Sequence, residues 1–326
     1  MIMYDLRGKK VLVTGGLGFV GSHIVDKLVE CGATVSVVDI KNSDDYETFR
    51  NDGASYFLKD IADLKAMRWV FAMMRPDYVI HCAALARIQP SFERPHDYFM
   101  SNAVGTANIL LLGKAFGVKR VVYSASSSAY GDAELPLTED AKVAPQSAHP
   151  YGSTKRMGEM LCRDMGVLTG GPETVCLRYF NVYGPRQSNT SDGAYATVIG
   201  IFLDQYKAGI PLTVVPDGLS RRDYTHVQDV VLANIKAMLS PKVGKAEIIN
   251  IGCGKNYSIF EVAALIHGKP DELQEGKDFV FIAPRKGEVR ETIASCKLAD
   301  ELLGWRPSMT LEDGINDLKA RLEKRS

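Results

Sequence analysis

Tyr151 and Lys155 stand four residues apart in Pro150-Tyr151-Gly152-Ser153-Thr154-Lys155, the spacing that puts two side chains on one helix face. An ammonium beside a phenol favours phenolate and lowers a pKa of about 10 toward that of a usable general base. A second source of chemistry is Tyr123-Ser124-Ala125-Ser126-Ser127-Ser128-Ala129-Tyr130-Gly131. A hydroxyl from this run, at the carboxyl end of a central strand, could share a substrate proton with Tyr151. Taken singly, the pair also reads as a solvated lysine beside a half-buried tyrosine, and the serines as a loop that satisfies its own backbone. Context has to decide.

A third motif is Thr14-Gly15-Gly16-Leu17-Gly18-Phe19-Val20-Gly21-Ser22-His23, between an apolar strand-like run and a helix-like stretch. Gly15, Gly18 and Gly21 permit a tight turn, close approach to a pyrophosphate and tight helix packing, while the helix start offers unpaired N–H groups. Asp39 ends the next apolar run 18 residues after Gly21, where a carboxylate accepts from adenosine ribose hydroxyls. It would repel a 2′-phosphate, so NAD is expected rather than NADP.

These motifs need a frame. Val11–Thr14, Thr34–Asp39, Ala54–Leu58, Tyr78–His81 and Arg120–Ser124 are short, apolar and bounded by polar residues or glycine, as strands are. Between them Gly18–Glu30, Asp63–Met74 and Asp97–Phe116 repeat apolar residues at helical intervals. Strand–helix alternation implies an α/β, Rossmann-type, doubly wound parallel sheet with ligands beyond the carboxyl ends of its strands. After about residue 180 the rhythm changes. A turn-rich loop, helices near Thr197–Lys207 and Val227–Leu239, and isolated strands near Thr213 and Ile248 suggest a smaller α/β substrate lobe. The expected division is 1–180 for the cofactor and 181–326 for the substrate, interleaved because Thr174–Tyr179 should rejoin the main sheet.

Composition bounds the partners. With 39 Lys plus Arg against 39 Asp plus Glu in 326 residues, the chain lacks the basic excess of a nucleic-acid or anionic-membrane binder. Six scattered cysteines form neither a CxxC pair nor a zinc-spaced cluster, so no metal is expected. Neither a secretory leader nor a membrane-length apolar run is visible, and the reducing cytoplasm is the expected location.

Together, TGGLGFVGSH, HCAA at His81 to Ala84, SASSSAYG, PYGSTK, LRYFNVYGP at Leu177 to Pro185, RRDYTHVQDV at Arg221 to Val230, APRKGE and LLGWRP resemble the extended short-chain dehydrogenase/reductase family, specifically its nucleotide-sugar 4-epimerase branch. The match runs in order across nearly the whole chain. It implies that Tyr151 is the general base at the sugar C4 hydroxyl, that Lys155 lowers its pKa and holds the nicotinamide ribose, and that Ser126 is the hydroxyl partner. Phe19 and Val20 would contact the pyrophosphate, Asp60 and Ile61 the adenine, and Ala83 and Ala84 the dinucleotide backbone. Asn181, Arg222 and Arg285 would hold the substrate diphosphate, Ser127 would stand by the sugar, and UDP is the family's usual carrier. A homodimer is implied too, through Asp97–Phe116 and Gly152–Thr169.

Members of the branch differ in substrate. Dehydratases and decarboxylases place acidic residues before Tyr-Gly where this chain has Ser127 and Ser128, which counts against them. At Thr292 the family uses side-chain size to admit or exclude an N-acetyl group, and the small threonine leads us to expect both UDP-glucose and UDP-N-acetylglucosamine. UDP-glucuronate epimerisation is the alternative. Asn181, where those enzymes carry Thr, argues against it, while Arg87 stands where it could meet a carboxylate or be only a surface or interface residue. A non-catalytic NAD-binding sensor would usually have lost Tyr151 or Lys155, and both are present.

Overall fold

The apolar runs of the first half pair side by side, and the inner ones are buried on both faces, as parallel strands covered by helices must be. In the computed structural model, which describes residues 4–41, 49–141, 149–191, 196–269, 272–284, 286–287 and 289–324, seven strands form one parallel sheet. They are β1 (Lys10–Thr14), β2 (Thr34–Asp39), β3 (Ala54–Leu58), β4 (Tyr78–His81), β5 (Arg120–Ser126), β6 (Glu173–Tyr179) and β7 (Lys245–Ile251), in the order β7-β6-β5-β4-β1-β2-β3. Helix α1 (Phe19–Glu30) and the helix Val227–Leu239 cover one face through Val25, Leu28, Val230 and Ile235. Helix α2 (Leu64–Met74) and the helix Gly105–Phe116 cover the other through Val70, Phe71, Ile109 and Leu112. The chain reverses its direction of winding between β1 and β4, and that switch opens a crevice at their carboxyl ends.

Two local differences from the sequence expectation have physical causes. Ile248 does not sit in an isolated strand of the second lobe. It belongs to β7, which extends the main sheet by pairing in parallel with β6, Ile248 beside Cys176. Only its last three residues, Ile249, Asn250 and Ile251, are wholly buried, and one of them is polar, so the run carries little of the apolar signature of a central strand. The expected helix Asp97–Phe116 begins earlier, at Pro95, and passes through a π-helical turn at Phe99–Val104 that turns Asn102 inward.

Beyond β6 the chain builds three two-stranded pairs: Val182–Tyr183 with Thr225–His226, Leu212–Val214 with Phe279–Phe281, and Arg221–Asp223 with Asn256–Ser258. A separate core of Tyr183, Phe202, Val262, Ile266, Phe279 and Ile315 supports them.

Candidate active site

The glycine turn after β1 is built by exclusion of side chains. Gly15 adopts φ +72°, and a Cβ there would lie 2.7 Å from the Ala83 amide nitrogen. At Gly21 it would overlap the Gly15 carbonyl oxygen. Gly18 is the N-cap of α1 and no side chain caps the helix, so the first-turn N–H groups of Phe19, Val20 and Gly21 have no intrahelical acceptor. Above the turn a Cβ on Gly18 meets only the Gly15 carbonyl oxygen, at 3.2 Å, leaving a cradle fit for a pyrophosphate. Asp39 holds the turn closed, accepting from the Leu17 N–H at 3.0 Å and the Lys41 N–H at 3.1 Å. A carboxylate has about four acceptor positions, so capacity for a ribose remains.

Around this crevice, the Ala83 N–H donates to Thr14 Oγ1 at 3.2 Å, and Ala83 and Ala84 are half-buried. Exposed Asp60 accepts from the Ala62 N–H at 2.8 Å. The Ile61 side chain is buried against Gly105, where a Cβ would come within 2.6 Å of Ile61 Cδ1, and its carbonyl accepts from Asn108 Nδ2 at 2.9 Å.

The helix α3 (Pro150–Leu161) carries the Tyr–Lys pair, with Pro150 in the first turn, where a missing N–H costs nothing. Tyr151 is half-buried, with Tyr98 edge-on at 6.3 Å and the His149 ring stacked at 6.0 Å. Burial raises the pKa of its phenol, while a hydrogen bond with Ser126 and the Arg87 cation pull the other way. Lys155 Nζ donates to the Ser124 carbonyl at 2.7 Å and lies 5.2 Å from the Tyr123 ring centroid. Burial pushes its ammonium down to about 8 against the opposing influence of Cys82 and Glu159. Arg87, itself half-buried, adds a cation that favours the phenolate.

Two polar devices that sequence reasoning missed hold this arrangement. Thr14 Oγ1 and His81 Nδ1 are 2.6 Å apart, and His81 Nε2 and Thr106 Oγ1 3.0 Å. Thr106 donates to the Asn102 carbonyl, Asn102 Nδ2 to Thr154 Oγ1, and Thr154 to the Tyr151 carbonyl. This chain ties the glycine turn to the catalytic helix. Behind Lys155, Glu159 takes both arms of Arg178 at 2.7 Å each, with the guanidinium 4.2 Å over the Tyr130 ring.

Ser127, Ser128, His149, Asn181, Arg222 and Thr292 line one open cleft with a cavity of about 210 Å³. Its frame centres on Asp223. That carboxylate accepts from the N–H groups of Cys253, Gly254 and Ala294 at 2.7, 2.9 and 3.0 Å. Asn181 Nδ2 donates to the Asp223 carbonyl at 2.9 Å, and the Asp223 N–H to Thr292 Oγ1 at 3.4 Å. Arg285 lies outside the described residues. Ser126, Tyr151 and Lys155 adjoin the cleft through their neighbours Ser127, Ser128 and His149. Among the described residues no group of three or more His, Cys, Asp or Glu could hold a metal, and no helix is long and apolar enough to cross a membrane.

Comparison with known proteins gives a consistent picture. Residues 11–252 match the family described as NAD dependent epimerase/dehydratase. A UDP-glucose 4-epimerase of Thermotoga maritima solved with UDP-glucose superposes with a TM-score of 0.87 at 35% identity, covering 97% of this chain and 99% of that one. The Thermus thermophilus UDP-glucose 4-epimerase complex with NAD gives a TM-score of 0.83 at 30% identity, covering 97% and 99%. A UDP-glucuronate 4-epimerase of Thermodesulfobacterium geofontis is 34% identical over 319 residues, 93% of each chain.

Proposed function

Because the chain belongs to the NAD dependent epimerase/dehydratase family, we propose that it is an NAD-dependent nucleotide-sugar 4-epimerase acting on UDP-hexoses, UDP-glucose and UDP-galactose foremost. The observation that carries this reading is the grouping of Tyr151 and Lys155 on one helix with Ser126 at the carboxyl end of β5, Lys155 Nζ donating to the Ser124 carbonyl at 2.7 Å. In a sensor that performed no chemistry this pair would have no task.

NAD, when bound, supplies reversible acceptance of hydride from sugar C4. Tyr151 takes the C4 hydroxyl proton through its phenolic oxygen, Ser126 holding that oxygen in place, and the same phenol returns the proton to the C4 oxygen once the 4-keto sugar has turned its opposite face toward the cofactor. Lys155, anchored on the Ser124 carbonyl, faces the nicotinamide ribose. The pyrophosphate of the cofactor would take the N–H groups of Phe19, Val20 and Gly21, its adenosine end would meet Asp39, Asp60 and Ile61, and its middle Ala83 and Ala84. Asn181 and Arg222 would hold the UDP diphosphate, and Ser127 and Thr292 would border the sugar. Residues 1–180 thus serve the cofactor and residues 181–326 the sugar nucleotide, with β7 returned to the main sheet.

Incubation with UDP-glucose, UDP-N-acetylglucosamine and UDP-glucuronate separately, without added cofactor, followed by separation of C4 epimers, tests the reading. Conversion of UDP-glucose is expected, abolished in Tyr151→Phe with NAD still bound. No conversion of any UDP-sugar, or full activity of that variant, refutes it. Arg87 beside Tyr151 favours UDP-glucuronate as the second reading, and turnover of that sugar alone would establish it.

A homodimer is part of the proposal. Met100, Val104 and Leu111 on one helix and Met157, Met160 and Leu168 on the other are exposed large apolar side chains, a stripe that a second copy would cover. Sedimentation at micromolar concentration should give twice the chain mass, and a monomer there would refute it.

A further inference from the structure

His149 stands where helix α3 begins, its ring stacked on Tyr151, and it lines the cleft. Its backbone is extended, φ −162° and ψ 157°, as the residue before a proline must be, and its Nδ1 accepts the Gly152 N–H at 3.0 Å. An imidazole that accepts at Nδ1 is neutral and carries its proton on Nε2. Burial reinforces this by pushing the ring down to about 4.

The ring is fixed on every side but one. It stacks on Tyr151 with 8° between planes, meets the edge of Phe92 at 6.4 Å, and its Cε1 lies 3.2 Å from where a Gly152 Cβ would be. Cδ2, beside Nε2, lies 3.5 Å from where a Gly287 Cβ would be, and both His149 and Gly287 line the cleft. Among the described residues nothing accepts from the Nε2–H.

We propose that His149 is a further substrate-binding residue, its Nε2–H donating to a hydroxyl of the hexopyranosyl ring and so linking the cap of the catalytic helix directly to the sugar. A hydroxyl is the acceptor because the ring lies beside Tyr151, Ser127 and Ser128. A neutral donor cannot be deprotonated by Tyr151 in the working pH range, and it leaves the acid–base chemistry to the phenol. The inference rests on the UDP-hexose reading above.

His149→Asn separates capping from binding, since Asn is itself a strong N-cap but lacks the stacked ring and its outward N–H. The KM for UDP-glucose is expected to rise roughly tenfold, the loss of one hydrogen bond, with kcat within about threefold and NAD content and Tm unchanged. Wild-type KM in this variant would overturn the inference, because a purely structural cap is restored by Asn. Independently of turnover, the ¹⁵N-labelled wild-type holoenzyme is titrated with UDP-glucose and with UDP, and the His149 Nε2 signal is assigned from whichever of H149N and H149Q accumulates. Movement with UDP-glucose but not with UDP supports the contact. No movement, or equal movement with both, overturns it. A protein that turns over no UDP-sugar refutes the proposed function, and the titration still judges the contact.

Discussion

Acid stability gives the sharpest check on the buried chain between the glycine turn and the catalytic helix. His81 is 1% exposed and is bonded on both ring nitrogens to threonine hydroxyls. Thr106 gives its proton to the Asn102 carbonyl and so accepts from Nε2–H, while Nδ1 accepts from Thr14. Each bond requires a neutral ring, and burial, with Lys155 nearby, depresses its pKa to about 3. In the unfolded chain the same ring has a pKa of about 6.5 and takes a proton as pH falls. The unfolded state then binds more protons than the folded one, so stability is lost from about pH 6.5 downward until the folded ring also charges near pH 3. Between pH 7 and pH 5 the loss through His81 alone is about 2 kcal/mol, set almost wholly by the unfolded pKa because pH 5 is far above the folded one. His149, depressed to about 4, adds a loss of similar size. Urea unfolding of wild type and His81→Asn at the two pH values isolates the term. The variant is less stable at both, but its pH 7 to pH 5 drop should be smaller by about 2 kcal/mol. Equal drops in the two proteins, or a His81 Cε1–H resonance titrating above pH 5, would refute the neutral bridge.

Three further outcomes follow from close contacts and burial. Gly21→Ala puts a methyl group against the Gly15 carbonyl oxygen, and the purified variant should retain less than half the NAD of wild type by extraction and absorbance. Glu159→Gln leaves Arg178 buried and singly bonded, which should cost about 3–5 kcal/mol in urea titrations, and removes a charge that supports the Lys155 ammonium. Thr292→Tyr fills part of the cleft that Thr292 lines. Its kcat/KM for UDP-N-acetylglucosamine should fall at least roughly tenfold relative to UDP-glucose, and an unchanged ratio would remove Thr292 from specificity.

The centre of the sheet was legible because burial on both faces writes the same message into its inner strands: Val11, Leu12 and Val13 each have 1% exposure or less. The glycine turn was legible because its requirement is local, a backbone too close to itself for a Cβ. What could not be read depends on partners far away in the chain. In β7, Lys245-Ala246-Glu247 opens with charges because an edge strand is paired on one side only, and its place beside β6 is decided by residues 173–179. His149 hid for a chemical reason. Side-chain caps are sought among Ser, Thr, Asp and Asn, and an imidazole nitrogen does the same work only if the ring can be neutral and buried, which Tyr151 and Phe92 provide. Asp223 hid behind its neighbours. Arg221-Arg222-Asp223 draws attention to the cations that could meet a diphosphate, yet the acid is 0% exposed and collects three backbone N–H groups. Burial raises its pKa to about 6, opposed by those same hydrogen bonds. The charge that draws the substrate is thus readable from the motif. The acid whose carboxylate gathers those N–H groups, and whose own main chain holds Asn181 and Thr292 beside the cleft, becomes visible only once the second lobe has folded over it.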